Sequence, residues 1–326
     1  MQTARNNPAP GRSGGRTASF LLLLAITAFT CGKKPEPAAE HPAQPAEVIP
    51  AEAGWEKVAG GLNFPEGPAW DSQGTLYVSN CYGGWITRVA QGRVDTFLIA
   101  GRAPFTFEKT NGMAFHQGFL FACDFGAGAI LQISAAGATR IYADDYAGQA
   151  FNRPNDMTFD AAGNLYFTDP KSYSREVLDG RVFRIRASDQ AIELLADSLG
   201  FPNGLALSRD GKELYLCESA FERVLRFELT PEGRLRHRRV FVHLPGGDPD
   251  GLDFDSAGNL YVAHFGGAAV YVIAPDGSLR QKLAAPGKKP TNLEFGGEDL
   301  RTLFLTEVET NALYQRRVEV AGLPHR

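Results

Sequence analysis

The stretch Pro202-Asn203-Gly204-Leu205-Ala206-Leu207 is one of six copies of a short motif that runs through the chain. Each copy carries a polar or acidic residue at its second position, followed mostly by apolar residues. These second positions recur at intervals of 41 to 48 residues and are Glu66, Asn111, Asn155, Asn203, Asp250 and Thr291. A period of this length is typical of repeat proteins, in which each repeat buries its apolar face against its neighbours.

Each copy is followed by further segments that alternate like β-strands. In the third copy, a turn at Asp160-Ala161-Ala162-Gly163-Asn164 leads to the strand-like segment Leu165-Tyr166-Phe167, and two more follow at 181–185 and 192–195. Four short strands within roughly 40 to 50 residues match the size of a propeller blade. The sequence therefore predicts an all-β fold, a six-bladed β-propeller with four-stranded blades, over residues 54–326.

The two ends of the repeat region predict how the ring closes. The sixth copy supplies only three strand-like segments, the last at 312–316, and a spare one at 55–59 precedes the first copy. This N-terminal strand can complete the last blade from the outside, which removes the open edges of the ring.

The second motif positions are candidates for a metal site. The first strand of each blade lines the central channel, so these positions converge on its axis. Buried carboxylates such as Glu66 and Asp250 are costly unless they are neutralised, and Asn155 and Asn203 add amide oxygens. Such hard oxygen donors favour Ca²⁺, with Mg²⁺, Mn²⁺ and Zn²⁺ as alternatives. Asn111, in the same ring, is a candidate substrate-binding residue.

A second interpretation of the motif is a set of turns. Asn-Gly and Asp-Gly are common turn dipeptides, and a polar side chain there can cap a strand and bind only water. This interpretation suits Asn111 and Thr291 best. Glu66 has no turn preference, which favours a binding role for its carboxylate.

The residues that end the second strands predict a second polar ring at the same mouth. They are Asn80, Asp124, Asp169, Glu218, His264 and Glu307. We expect these side chains to form the walls of a polar funnel, with Tyr82, Trp85, Phe105 and Tyr173 as further candidates for its wall.

The N-terminal residues are typical of a targeting segment. Positive charges at Arg5, Arg12 and Arg16 precede a ten-residue apolar run at 20–29, which is too short to span a bilayer. Cys31 and a Pro/Ala/Glu-rich stretch follow. Residues 1–31 are therefore interpreted as a signal peptide, of lipoprotein type if Cys31 is lipidated, and residues 32–53 as a linker. The protein is expected to be exported, either to the periplasm, to a membrane through a lipid anchor, or by plain secretion.

The composition narrows the classes of partner. The net charge of −4 and the absence of a basic run in the repeat region argue against a nucleic-acid surface.

The spacing of Cys81, Cys123 and Cys217 matches no metal knuckle. They are interpreted as small buried side chains, with one disulfide and one free thiol as the alternative.

Several copies of the motif resemble the senescence-marker-protein/gluconolactonase family of regucalcin-like six-bladed propellers. The resemblance covers about residues 60–318 and rests on the order of several segments. They are Pro65-Glu66-Gly67-Pro68-Ala69-Trp70, Arg153-Pro154-Asn155-Asp156, Phe167-Thr168-Asp169-Pro170, Phe201-Pro202-Asn203-Gly204-Leu205-Ala206, Pro249-Asp250-Gly251 and Gly296-Gly297-Glu298-Asp299-Leu300.

The resemblance implies roles for individual residues. Glu66, Asn203 and Asp250 would hold a catalytic divalent metal, with Asn155 as a fourth ligand or a substrate contact. Arg153 would bind the substrate, and Asp250 would also act as the general base.

Two functions follow as hypotheses. The first is a metal-dependent hydrolase of lactones or related esters, in which the ion polarises the carbonyl group and Asp250 activates water. The alternative is a non-catalytic periplasmic propeller that binds a small ligand or a protein partner.

Overall fold

The computed structural model describes residues 54–71, 73–102 and 107–324. The predicted signal segment 1–31, the linker 32–53 and Cys31 lie outside these residues. The first described strand is β1 (Glu56–Gly60). Blade 1 consists of β2 (Pro65–Trp70), β3 (Thr75–Asn80), β4 (Trp85–Ala90) and β5 (Arg93–Ile99). Blade 2 consists of β6 (Thr110–His116), β7 (Phe119–Asp124), β8 (Ala129–Ser134) and β9 (Thr139–Ala143).

The remaining blades repeat this pattern. A two-residue hairpin, β10 (Asp145–Tyr146) and β11 (Gln149–Ala150), precedes blade 3. Blade 3 consists of β12 (Met157–Phe159), β13 (Leu165–Asp169), β14 (Gly180–Ile185) and β15 (Ile192–Leu199). Blade 4 consists of β16 (Pro202–Leu207), β17 (Glu213–Glu218), β18 (Arg223–Leu229) and β19 (Leu235–His243), with a 3₁₀ turn at Ser219–Phe221. Blade 5 consists of β20 (Asp248–Phe254), β21 (Leu260–Phe265), β22 (Ala269–Ile273) and β23 (Leu279–Ala284). Blade 6 contains β24 (Pro290–Gly296), β25 (Thr302–Glu307) and β26 (Ala312–Arg317).

Blades 1 to 5 are antiparallel four-stranded sheets in which sequential strands are neighbours, so the predicted six-bladed propeller is confirmed. The predicted closure is confirmed as well. Strand β1 pairs antiparallel with β26, with Glu56 opposite Gln315 and Gly60 opposite Ala312. The last sheet therefore has the order β1-β26-β25-β24. The closing strand lies one residue later than the predicted segment at 55–59.

The hydrophobic core lies between neighbouring blades. Each of its six clusters combines side chains of two adjacent sheets. Between blades 2 and 3, for example, Phe151, Phe167 and Phe183 pack with ring centroids 5.0 to 5.4 Å apart. The second strand of each blade is covered on both faces, and in β13 all five residues are buried. Burial of this kind fixes the register of the strands and thus the positions of the residues at the channel.

Blade 3 departs from the other blades at the channel. Its inner strand begins at Met157, the fourth residue of the motif, whereas the inner strands of the other blades include the whole motif. Asn155 is followed by Asp156, which lies outside the inner strand. In the other five blades the residue at this position lies within the inner strand. The Asp156 backbone N–H donates to Thr168 Oγ1 at 3.1 Å.

Among the described residues, no helix has the length and apolar character that crossing a membrane requires.

Candidate functional site

One mouth of the central channel opens into a pocket, called the mouth pocket here. It is lined by Phe64, Glu66, Cys81, Tyr82, Asn111, Phe125, Asn155, Tyr173, Phe201, Asn203, Ser219, Asp248, Asp250 and Phe265. Five of the six second motif positions thus meet in one place, although up to 184 residues separate Glu66 from Asp250 in the sequence. All five side chains are at most 8% exposed.

Thr291, the sixth second position, has a different role. Its hydroxyl group donates to the carbonyl oxygen of Pro65 at 2.7 Å and lies 2.9 Å from Thr306 Oγ1. The side chain is fully buried and joins blade 6 to blade 1. It is absent from the described lining of the mouth pocket.

Irregular strand pairing turns the motif side chains toward the axis. In five blades the register between the first and second strands shifts at the motif, for example between Glu66 and Ala69 and between Pro202 and Leu205. Such irregularities re-aim side chains and are common beside active sites. In blades 1, 2, 4 and 5 the polar residue at this shift lines the channel mouth, while the later residues of the same strand return to the ladder.

The glycines after the motif residues reflect close packing between inner strands. A Cβ on Gly67 would lie 2.3 Å from the carbonyl oxygen of Asn111, and one on Gly204 would lie 2.3 Å from that of Asp250. The Asn-Gly and Asp-Gly dipeptides of the motif lie inside β6, β16 and β20, so the prediction that they form turns is wrong. Glycine allows the inner strands of neighbouring blades to approach each other with their backbones in contact.

The two carboxylates of the ring are buried together without a cationic partner. Burial raises the pKa of Glu66 well above its usual value, and the nearby charges of Asp250 and Asp156 raise it further. Burial likewise raises the pKa of Asp250, with Asp156 and Asp248 as further causes and a bond from Asn203 opposing them. Among the described residues, no Lys, Arg or His forms an ion pair with either carboxylate.

This arrangement fits a divalent cation bound by oxygen ligands. Two buried carboxylates need about two positive charges to ionise, and the amides of Asn155 and Asn203 supply neutral oxygens beside them. The described chain contains no group of three or more His, Cys, Asp or Glu residues that could hold a metal. A cation here would therefore depend on amide as well as carboxylate oxygens, which suits a hard ion better than a thiolate- or imidazole-preferring one.

The side chains of the expected second polar ring accept hydrogen bonds from loop backbones and do not line a funnel. Asp124 accepts hydrogen bonds from the backbone N–H groups of Glu108 and Lys109, both at 2.9 Å. Asp169 accepts one from Arg153 at 2.8 Å. Equivalent bonds to the segment that leads into the inner strand are made by Asn80, Glu218 and Glu307. Because these groups are buried and already bonded, the expectation of polar funnel walls is wrong.

The remaining candidate polar groups also have internal partners. His264 donates through Nε2–H to the carbonyl oxygen of Leu244 at 2.7 Å, and burial lowers its pKa. Asp156 accepts from Asn292 Nδ2 at 3.4 Å, and burial raises its pKa to about 7. It lines a separate cavity, formed by later residues of the inner strands.

Arg153 lies at the rim of the mouth pocket. Its side chain is exposed, and the guanidinium carbon lies 5.6 Å from the centre of the Phe125 ring. Lys109 and Lys289 are placed in the same way over Tyr82 and Phe265, each at 5.6 Å. Cation–π contacts of this kind hold the rings in place at the rim.

The wall of the mouth pocket is aromatic. Its rings belong to Phe64, Tyr82, Phe125, Tyr173, Phe201 and Phe265. Tyr82 and Tyr173 were expected there from the sequence, Trp85 instead bonds Thr87 Oγ1 through its indole N–H, and Phe105 lies outside the described residues. The four phenylalanines were missed. The available signal was their repeated position, either just before the motif or at the end of the second strand.

The three described cysteines that follow the linker are buried and free. The alternative of a disulfide between two of them is therefore wrong for this structure. Burial raises the pKa of Cys81, at the edge of the mouth pocket, to about 12. Its thiol is thus protonated at neutral pH and is a poor nucleophile.

Comparisons with known proteins agree with this fold. The model of the SMP-30/gluconolactonase/LRE-like region matches residues 64–309. A gluconolactonase from Zymomonas mobilis is 31% identical over 77% of this chain and 78% of its own length. A diisopropyl-fluorophosphatase from Loligo vulgaris is 29% identical over 60% of this chain and 67% of its own length. A solved structure of a gluconolactonase from Xanthomonas campestris has a TM-score of 0.73 and 29% identity, covering 83% of this chain and 91% of that one.

Proposed function

Because the chain belongs to the SMP-30/gluconolactonase/LRE-like family, we propose that it is a metal-dependent hydrolase of lactones or related carboxylic esters. One observation carries this proposal. Two buried carboxylates, Glu66 and Asp250, lie beside amide side chains at the floor of an open pocket and have no cationic partner among the described residues. Relatives named gluconolactonase and diisopropyl-fluorophosphatase act by hydrolysis, which supports the class of reaction.

The ligands in this proposal are Glu66, Asn203 and Asp250, with Asn155 as a fourth ligand or a substrate contact. Ca²⁺ fits this donor set best, and Mg²⁺, Mn²⁺ or Zn²⁺ are the alternatives. When bound, such an ion supplies electrophilic polarisation of the substrate carbonyl group.

The other steps belong to the protein itself. The Asp250 carboxylate accepts a proton from the attacking water. The amides of Asn111 and Asn155 orient the ester group, since both line the pocket beside Glu66. Arg153, exposed at the rim, contacts the outer part of the substrate.

Chelation tests the metal dependence. We expect dialysis against EDTA to lower kcat/KM for a lactone by about 10²-fold or more, because the electrophile and the charge balance of Glu66 and Asp250 are lost together. Addition of Ca²⁺ or Mn²⁺ should restore the activity. The measurement is lactone hydrolysis by pH-stat, with the metal content determined by elemental analysis.

The matched control is the same dialysis against EDTA saturated with Ca²⁺, which exposes the protein to chelator without removing calcium. Full activity in metal-free protein would contradict the metal-dependent mechanism. Absence of hydrolysis under all conditions, with a partner protein retained in pull-down experiments, would support the non-catalytic alternative.

We also propose that the protein is exported and that Cys31 carries a lipid anchor. The support is the charged and apolar pattern of residues 1–31, followed by a polar linker. We expect Cys31→Ser to move the protein from the membrane fraction to the soluble fraction of the cells that produce it, as judged by immunoblotting. An unchanged distribution would argue for plain secretion or for another anchor.

A further inference from the structure

The floor and the wall of the mouth pocket differ in chemistry. The polar floor consists of the five motif residues, and six aromatic rings stand around it. Neighbouring rings of the wall contact one another, with centroid distances of 4.5 Å between Phe64 and Tyr82 and 5.4 Å between Tyr173 and Phe201. A ligand whose ester group reaches the floor must therefore place its substituents against aromatic surface.

Two of these rings are held in place by a strained backbone. Phe64 and Phe201 have φ angles of 53° and 56°, in the left-handed region that bulky residues rarely adopt. Both precede a proline, which disfavours most conformations other than extended ones. Among the six residues that directly precede the motif, all of them described, only these two have positive φ.

Hydrogen bonds fix the same two residues. The carbonyl oxygen of Phe64 accepts from the backbone N–H of Cys81 at 3.0 Å, and that of Phe201 accepts from Ser219 at 3.1 Å. Strain of this kind persists only where the surrounding structure enforces it, and it is concentrated at functional sites. The fold thus stabilises two phenyl rings directly beside the candidate ligands Glu66 and Asn203.

Two hydroxyl groups of the wall already donate hydrogen bonds to other groups of the protein. The Tyr173 hydroxyl donates to Asp248 Oδ1 at 2.6 Å, and the Ser219 hydroxyl donates to the carbonyl oxygen of Pro249 at 2.8 Å. The remaining hydroxyl in the wall belongs to Tyr82, whose side chain is 58% exposed at the rim. Apart from the rim cations Lys109, Arg153 and Lys289, a substrate with several hydroxyl groups would find few partners for them in this wall.

We propose that the mouth pocket selects lactones or esters with apolar alkyl or aryl substituents over polyhydroxylated sugar lactones. This proposal rests on the proposed hydrolase function and names its substrate class. Sugar hydroxyl groups lose bonds to water when they are placed against aromatic rings, whereas an alkyl or aryl group gains from the same burial.

The reaction itself is ordinary hydrolysis. The oxygen of water forms a bond to the carbonyl carbon, and the bond from that carbon to the ring oxygen breaks. The ring oxygen leaves as an alcohol after it takes up a proton, so one water is consumed and a hydroxy acid forms. No oxidant, reductant or further reactant is required.

The first test compares three δ-lactones with the full-length, Ca²⁺-loaded protein. They are δ-decalactone, which carries a five-carbon chain, unsubstituted δ-valerolactone, and D-glucono-δ-lactone. Each kcat/KM is divided by the rate constant for hydrolysis of the same lactone by hydroxide, which removes differences in intrinsic reactivity. We expect δ-decalactone to exceed gluconolactone by at least about tenfold.

The second test removes the strained rings. In the double variant Phe64→Asn/Phe201→Asn, asparagine tolerates positive φ, so the backbone of both loops is retained while the rings are lost. We expect the ratio of kcat/KM for δ-decalactone to that for gluconolactone to fall by at least about tenfold. The matched control is Phe119→Ala, an exposed ring at the opposite end of β7 from the mouth, which should leave the ratio unchanged.

The outcomes separate this inference from the function on which it rests. Normalised hydrolysis of gluconolactone at least as fast as that of δ-decalactone overturns the apolar preference and leaves the hydrolase function standing. An unchanged ratio in the double variant, with a folded protein by circular dichroism, also overturns it. Failure to hydrolyse any of the three lactones or an aryl ester overturns both the inference and the proposed function.

Discussion

We expect Asp250→Asn to lower kcat/KM for lactone hydrolysis by about 10²-fold or more while the propeller remains folded. Asparagine has nearly the same shape as aspartate, so the packing of β20 is preserved. The variant loses a charge that the proposed cation requires, and it loses the group proposed to take the proton from water. Lactone hydrolysis followed by pH-stat, with thermal unfolding measured in parallel, checks both parts of this expectation.

Asp253→Asn provides a matched control on the same strand. Asp253 is also an acid of β20, but it lines the separate cavity formed by later residues of the inner strands. We expect its effect on kcat/KM to be much smaller than that of Asp250→Asn. Equal turnover by wild-type protein and the Asp250→Asn variant would remove Asp250 from the mechanism, whatever its position at the mouth.

The second large effect is expected on stability, from Gly204→Ala. The added methyl group would lie 2.3 Å from the carbonyl oxygen of Asp250, 2.8 Å from Gly251 Cα and 3.0 Å from the backbone nitrogen of Leu252. All three are backbone atoms, so they cannot move aside as a flexible side chain can. We expect a loss of about 3 kcal/mol or more in the free energy of unfolding, measured with guanidinium chloride.

Gly60→Ala is the control for this substitution. Its added methyl group would meet only Lys57 Cδ at 3.8 Å, which is ordinary van der Waals contact. We expect a change of less than about 0.5 kcal/mol. If Gly204→Ala were as stable as Gly60→Ala, the inner strands of blades 4 and 5 could not approach as closely as the structure shows. The explanation given above for the Asn-Gly motif would then fail.

The propeller itself could be predicted from the sequence because its causes are local and repeated. Short apolar alternations separated by turns define strands, and the interval of 41 to 48 residues defines a blade. The missing strand in the sixth copy and the spare strand before the first copy predicted the pairing of β1 with β26. The pseudo-symmetry of a closed ring also predicted that residues as distant as Glu66 and Asp250 share one mouth.

Other features depended on the tertiary structure. The sequence predicted that Asp169 and Glu218 line a polar funnel. In the structure, backbone N–H groups of neighbouring loops lie 2.8 to 2.9 Å from their carboxylate oxygens. The sequence placed Thr291 in the ring around the axis, but its hydroxyl group donates to the carbonyl oxygen of Pro65 in the neighbouring blade. The hydrogen-bond partner of a buried polar side chain depends on which groups lie near it. For these residues the partners belong to other loops or to the neighbouring blade, and the sequence of one blade does not predict them.

The chemistry of the pocket wall also depends on contacts between distant segments of the chain. Sequence alone determined the fold and the acids and amides at its mouth, because strand periodicity and closure of the ring place equivalent positions together. The tertiary structure decided which aromatic residues form the wall. The directions of Phe64 and Phe201 follow from left-handed backbone angles that contacts with distant segments impose, and no local pattern encodes them.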